Sequence, residues 1–207
     1  MIILIPARRG SKGFPFKNRT LFRDTVDKIP QNMRENVRVY TDDEEIVAMS
    51  KGQNLVCVQR APAPDEETTK QMVMSFVKKE CKNPEDILML YLTYPERTWE
   101  SVEEAMETYA SEGVGSLLSK KIPDTHPYLC MYEREGSRGT QVVEHDLCRR
   151  QDYPNCFEIS HQVCIFNSTE VGKLNNNLYN ENTYFFLVNS VPDVDYRKDY
   201  EGVKKYD

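Results

Sequence analysis

Five cations crowd together near the start of this 207-residue chain. Arg8, Arg9, Lys12, Lys17 and Arg19 fall between residues 8 and 19 without one carboxylate, in a protein of formal net charge -6. Such a local inversion of sign suggests an anionic ligand. Gly10 and Gly13 interrupt the cations; glycine can take positive φ and lets backbone N–H groups approach phosphate oxygens closely. The apolar run at 1–4 leads straight into Ile5-Pro-Ala-Arg-Arg-Gly-Ser-Lys-Gly-Phe-Pro-Phe-Lys-Asn18. This order predicts a buried strand delivering a phosphate-binding loop to the end of a sheet, where ligands of α/β proteins gather. Gly-Ser-Lys-Gly lacks the spacer and terminal Lys-Ser/Thr of a Walker loop, and no Gly-x-Gly-x-x-Gly follows, so neither nucleotide fingerprint fits. A solvated basic loop is the plain alternative, and the position after a first strand argues against it.

Two other constellations carry metal chemistry. Asp193-Val-Asp195 follows a strand-like run at 184–188, and carboxylates at i and i+2 project on one side, able to hold Mg²⁺ with phosphate oxygens and waters completing the shell. An isolated Asp-x-Asp is more often solvated or a cap. His145-x-x-Cys148 and His161-x-x-Cys164 have the outline of a four-ligand zinc site. Against zinc, Cys164 sits in the strand-like run Val163-Cys-Ile-Phe166, where a small thiol packs well.

These groups must be positioned by alternating strands and helices. Residues 37–40, 55–58, 86–92, 114–119 and 184–188 read as strands, the third so continuously apolar that burial on both faces is expected. Helices are expected from Asp42 or Asp43 to Gly52, over 68–79, 99–110 and 198–206. Residues 20–36 hold Pro30 and few apolar positions, which predicts a brief or irregular first crossover helix. Between about 120 and 156 the pattern changes: 128–132 and 141–144 read as antiparallel strands around the turn at 136–139.

The length suits one domain, residues 1–207, with a substantial core. With 39% hydrophobic and 29% charged residues the composition is that of a water-soluble globular chain. No apolar run approaches the roughly 20 residues of a membrane span, and charged Arg8 and Arg9 cut short any signal-peptide core, so a cytoplasmic protein with no membrane partner is expected. Six cysteines without a Cys-x-x-Cys pair read as reduced thiols.

The motif from Ile5 to Asn18 resembles the opening of the CMP-sialic acid synthetase (N-acylneuraminate cytidylyltransferase) family. The resemblance continues in family order through Tyr40-Thr41-Asp42 with Ile46, Arg60 with Ala61-Pro62 and Glu67-Thr68, Thr93, Pro95 and Arg97, His126-Pro127, Arg150-Gln151 with Pro154, and Asp193-Val-Asp195. It implies an α/β, Rossmann-like nucleotidyltransferase fold with a mainly parallel central sheet, and transfer of CMP from CTP to a sialic-acid-like keto-sugar acid with release of pyrophosphate. It further implies that Ala7, Arg8, Gly10, Ser11, Lys12, Lys17 and Asn18 hold the triphosphate, with Arg8, Lys12, Lys17 and Asp195 catalytic. Arg60 with Thr68 would read the base, since a guanidinium fork can address cytosine O2 and N3 together. Asp193 and Asp195 would hold Mg²⁺. Tyr91, Thr93, Arg150, Gln151 and Ser160 fall on the acceptor side, with Arg150 the candidate for the sugar carboxylate.

The same resemblance makes residues 120–156 a dimerisation arm reaching into the partner's site, and so implies a homodimer. No nucleic-acid partner is implied. The acceptor side departs from the family pattern: Tyr91 stands for a glutamine, Tyr94 for a serine, and Ser160-His161-Gln162 for Asn-Gly-Ala. Another acidic acceptor, such as an octulosonic acid or a phosphonate, and a non-catalytic nucleotide-binding descendant therefore stay open.

Overall fold

Ile3, Leu4 and Ile5 are fully buried, as only a central strand allows, and the sheet is built outward from them. The computed structural model describes residues 1–203. The C-terminal end of the expected last helix, to 206, lies outside the described residues. Strand β1 (Ile2–Pro6) pairs in parallel with β2 (Val37–Thr41) on one side and with β4 (Asp86–Met89) on the other, and β3 (Val56–Gln59) extends the sheet beyond β2. Beyond β4 come β8 (Glu158–Asn167), β5 (Ser116–Lys121) and β9 (Tyr184–Leu187), giving the order β3-β2-β1-β4-β8-β5-β9 among the described residues.

Helices α1 (Lys17–Val26), α2 (Glu44–Gly52) and α4 (Trp99–Glu112) cover one face of the sheet, and α3 (Thr69–Glu80) covers the other. Side chains of β1 divide accordingly. Ile3 and Ile5 pack with Phe22, Ile46 and Ala105, whereas Leu4 packs with Val73 and Phe76. Strand alternation thus feeds two cores from one β1. Helix starts follow local chemistry: Asp43 accepts from the Glu45 N–H to cap α2, and Thr68 with Gln71 forms a capping box on α3.

Two sequence expectations are corrected and one is extended. The first helix is not confined to 20–36: it begins at Lys17 and runs ten residues, because Leu21, Phe22, Thr25 and Val26 give it a buried face, and a separate 3₁₀ turn at Gln31–Asn36 follows Pro30. The run around Cys164 is a ten-residue strand, β8, antiparallel to both β4 and β5. The hairpin lies slightly inside its expected bounds. Its strands β6 (Met131–Arg134) and β7 (Arg138–Gln141) form a separate two-stranded sheet, turned by Gly136 and Ser137 at φ of 69° and 57°. Helix α5 (Arg197–Val203) ends the described chain. No helix among the described residues is long and apolar enough to cross a membrane.

Candidate active site

A cleft of about 440 Å³ opens at the C-terminal ends of β1 and β4. One wall is the cationic loop. Its root is fixed where the Ala7 N–H donates to the Tyr40 carbonyl at 2.9 Å and the Thr41 hydroxyl donates to the Ala7 carbonyl. Asn18, on the first turn of α1, donates to the Arg8 carbonyl at 2.8 Å and so pins the loop over the cleft. Ala7, Arg8, Gly10, Ser11, Lys17 and Asn18 all line it.

The glycines act differently from expectation. Neither Gly10 nor Gly13 has positive φ; the left-handed residue of the loop is Phe16, at 56°. Gly13 is required by close approach, since a Cβ there would stand 2.7 Å from the Asp195 carbonyl oxygen. Loop and carboxylate segment therefore touch. Lys17 donates to the Asp195 carboxylate at 2.8 Å, with its own side chain only 11% exposed. Lys12 does not line the cleft: its exposed ammonium pairs with exposed Asp65 at 3.3 Å on the rim.

Arg60 enters from the loop after β3. Its N–H donates to the Thr41 carbonyl at 2.9 Å, and its guanidinium is held by Glu67 and lies 4.9 Å over the Tyr40 ring. Glu67, the Ala61 carbonyl that accepts from Nε at 3.3 Å and the aromatic face together fix the plane of the guanidinium where Arg60 lines the cleft. Thr68 lines the cleft beside it while its hydroxyl caps α3.

The opposite wall is aromatic. Tyr91, Thr93 and Tyr94 follow β4, and His161 projects from β8. Burial raises the pKa of both tyrosines, so their hydroxyls stay protonated. Tyr91 donates to the Thr69 hydroxyl at 3.2 Å, and its ring meets His161 edge-on at 5.8 Å. Burial pulls the His161 pKa below its ordinary value, against the Asn177 carbonyl and Asp193, which act to raise it. Behind this wall Arg97, 4% exposed, donates to the carbonyls of Tyr91 and Gln162 at 3.2 and 2.8 Å, bolting the segment after β4 to β8. Burial lowers its pKa to about 10.

At the junction of the walls lie Asp193 and Asp195. Val194 between them is fully buried and its N–H donates to the Thr93 carbonyl at 2.8 Å, so both carboxylates face out, into the cleft. Asp199 accepts from the N–H groups of Asp195 and Tyr196 and shapes the turn.

Three predicted acceptor residues are not brought to the cleft. Arg150 and Gln151 sit exposed on a 3₁₀ turn of the arm, and it is Arg149, rather than Arg150, that pairs with Asp152 at 2.8 and 3.0 Å. Ser160 is buried in β8, its carbonyl accepting from Ser119 at 2.7 Å. The zinc outline does not assemble either. His145 stacks on Tyr128 in the arm, His161 faces the cleft and Cys164 is buried in the core, and no three His, Cys, Asp or Glu side chains gather for a metal among the described residues. Sequence patterning gave no sign of Asn177, whose loop precedes β9, or of Glu67 as the partner of Arg60. An acid seven residues after a loop arginine was the available signal for Glu67.

This α/β arrangement superposes on solved nucleotidyltransferases. CMP:2-keto-3-deoxy-manno-octonic acid synthetase complexed with CTP matches at a TM-score of 0.67 and 14% identity over 99% of this chain and 97% of that one. The 4-diphosphocytidyl-2C-methyl-D-erythritol synthase of Anaerococcus prevotii matches at 0.62 and 13%, over 99% and 95%. At these identities the likeness is one of fold. Residues 2–187 match the family model described as cytidylyltransferase, and the chain belongs to that family. It is 29% identical over 171 residues to the N-acylneuraminate cytidylyltransferases of Streptococcus agalactiae serotypes V and III, covering 74% of this chain and 41% of each relative. The chain thus accounts for about two-fifths of the length of these curated relatives.

Proposed function

We propose that the protein transfers CMP from CTP to the anomeric hydroxyl of a sialic-acid-like keto-sugar acid. The observation that carries this reading is the meeting in one cleft of Arg8 and Lys17, the clamped Arg60, and the Asp193–Asp195 pair. In the reaction the acceptor oxygen bonds to the α-phosphorus, the bond to the bridging oxygen of the β-phosphate breaks, pyrophosphate leaves with that electron pair, and the hydroxyl proton is lost to solvent. Such transfer depends chiefly on positioning and charge neutralisation. Arg8 and Lys17 neutralise phosphate oxygens, with Lys12 at the rim meeting the outermost ones. Arg60 orients the base.

The carboxylate pair suits Mg²⁺. Asp193 and Asp195 offer two hard oxygen ligands beside the phosphate loop, with no third acidic or histidine ligand gathered there among the described residues, and Mg²⁺ ordinarily keeps most of its shell as phosphate oxygens and waters. When bound it would supply a Lewis acid that offsets charge developing on the phosphates. Lys17, donating to Asp195 at 2.8 Å, fixes that carboxylate in the cleft, where it would serve as a ligand.

The arm fits a homodimer. Leu129, Met131, Tyr132, Val142, Val143 and Leu147 are all exposed, on and beside a hairpin too small for its own core. A twofold copy would cover them, and Arg150, Gln151 or Arg138 would then serve the partner's cleft. A mass near the 24.2 kDa of one chain in light scattering at micromolar concentration overturns the dimer.

The aromatic wall favours a second reading, another acidic acceptor such as an octulosonic acid or a phosphonate. Incubating the protein with CTP, Mg²⁺ and a panel of acceptors, and measuring pyrophosphate, decides between them. Release with a nonulosonic acid alone supports the first reading, and release with another acid supports the second. CTP binding without turnover on any acid leaves a nucleotide-binding descendant.

A further inference from the structure

We infer that Asp42 is a positioning residue that locks the phosphate loop to the base loop, so that one nucleotide meets both in a fixed register; this rests on the cytidylyltransferase reading above. Its carboxylate spans two separate segments. Oδ1 accepts from the Arg9 N–H at 2.7 Å and Oδ2 accepts from the Ala63 N–H at 3.0 Å. Capping of α2 does not occupy Asp42, because Asp43 performs it. Thr41 ties the roots of the same two loops, its hydroxyl donating to the Ala7 carbonyl and its carbonyl accepting from the Arg60 N–H. Asp42 repeats that pattern one residue further out, beside the residues that face the ligand.

Both loops need such a tie. Arg8, Arg9 and Gly10 on one, and Ala61, Pro62 and Pro64 on the other, are exposed. The Lys12–Asp65 pair also bridges them, but with side chains 83% and 70% exposed it contributes little. A carboxylate receiving two backbone N–H groups makes charge-assisted bonds in both directions, and it needs both oxygens as acceptors. Asparagine offers one acceptor oxygen and can hold either loop, never both.

The test uses calorimetry with two probes: CTP, which spans both loops, and inorganic triphosphate, which needs only the first. In Asp42→Asn, CTP affinity should fall about tenfold, the weight of one charge-assisted hydrogen bond. Triphosphate affinity should stay within about twofold, because the phosphate loop keeps its own fold. Ala63→Pro removes the second donor without touching Asp42, in a segment already flanked by Pro62 and Pro64, and should reproduce the same split even where Asp42→Asn folds poorly. Equal weakening of both probes, or weakening of neither, overturns the clasp. A parent protein that binds triphosphate but shows no preference for CTP overturns the cytidine reading instead.

Discussion

Arg8, Lys17 and Arg60 enter the cleft from loops that follow β1 and β3 or from the first turn of α1, whereas Tyr91, Tyr94 and His161 enter from the end of β4 and from β8. On the first side, Thr41 and Asp42 hold the loop backbones and Glu67 holds the Arg60 guanidinium. On the second, burial of rings and one buried guanidinium do so. The cationic wall is exposed and held by polar contacts, as the proposed triphosphate site requires. The aromatic wall is held by packed rings and by Arg97, as a shape-selective acceptor site would require.

The largest effect is expected where the walls meet. Asp195→Asn should lower kcat by at least about 10³-fold, several kcal/mol of barrier, while CTP still binds. It removes a charge proposed to ligate Mg²⁺ and turns the 2.8 Å Lys17 ion pair into a hydrogen bond to a neutral amide oxygen. Pre-steady-state pyrophosphate release reads this directly, and activity within tenfold of the parent would put the metal elsewhere.

The aromatic wall is expected to break through stability. Arg97→Ala strips the carbonyls of Tyr91 and Gln162 of their donor and empties a buried volume, costing about 3 kcal/mol. Denaturant unfolding measures it. A loss below 1 kcal/mol would show, on the scale of ordinary surface changes, that the wall stands without its bolt.

On the cationic wall the expected loss is in selectivity. Arg60→Lys keeps the charge but not the fork held by Glu67 and stacked over Tyr40, so the thermal shift from CTP over UTP, ATP and GTP should shrink by about tenfold in apparent affinity ratio. Unchanged preference would remove Arg60 from base reading.

The two walls also differ in how far they could be read in advance. The cationic loop is contiguous, so its sign inversion, its position after β1 and most of its lining residues were visible in the order of residues alone. The central strands were equally plain as apolar runs. The aromatic wall is assembled from residues about 70 apart, and its geometry depends on β8 running antiparallel between β4 and β5. No local pattern in Glu158–Asn167 encodes that direction. Only the pairing of Met89 with Cys164 and Leu118 with Cys164 places His161 beside Tyr91. Asn177 was invisible for the same reason. Gly13 was singled out for a conformational freedom it does not use, because the Asp195 carbonyl that demands its missing side chain lies 182 residues away. Arg150 was named from a motif alone, and in the fold it lies exposed on the turn Arg150–Asp152, away from the cleft lining.

The smallest expected effect tests whether His161 belongs to the aromatic wall as a neutral ring. Burial lowers its pKa below the ordinary 6.5, with the Asn177 carbonyl and Asp193 opposing. Below pH 6.5 the unfolded chain therefore takes up a proton at residue 161 that the native protein resists. More protons on the unfolded state means stability that falls as pH falls, until the native imidazole also charges. One group can impose no more than about 1.4 kcal/mol per pH unit. His161→Gln keeps a polar side chain that does not titrate, so the stability of the parent relative to this variant should be level above about pH 7.5 and decline through the interval below 6.5. Denaturant unfolding at half-unit pH steps, with both proteins in the same buffers, cancels the other histidines and the carboxylates not coupled to His161, leaving His161 and its pairing with Asp193. A difference curve that rises on acidification would mean that Asp193 outweighs burial and that His161 is charged in the native cleft, turning the aromatic wall into a second cationic one.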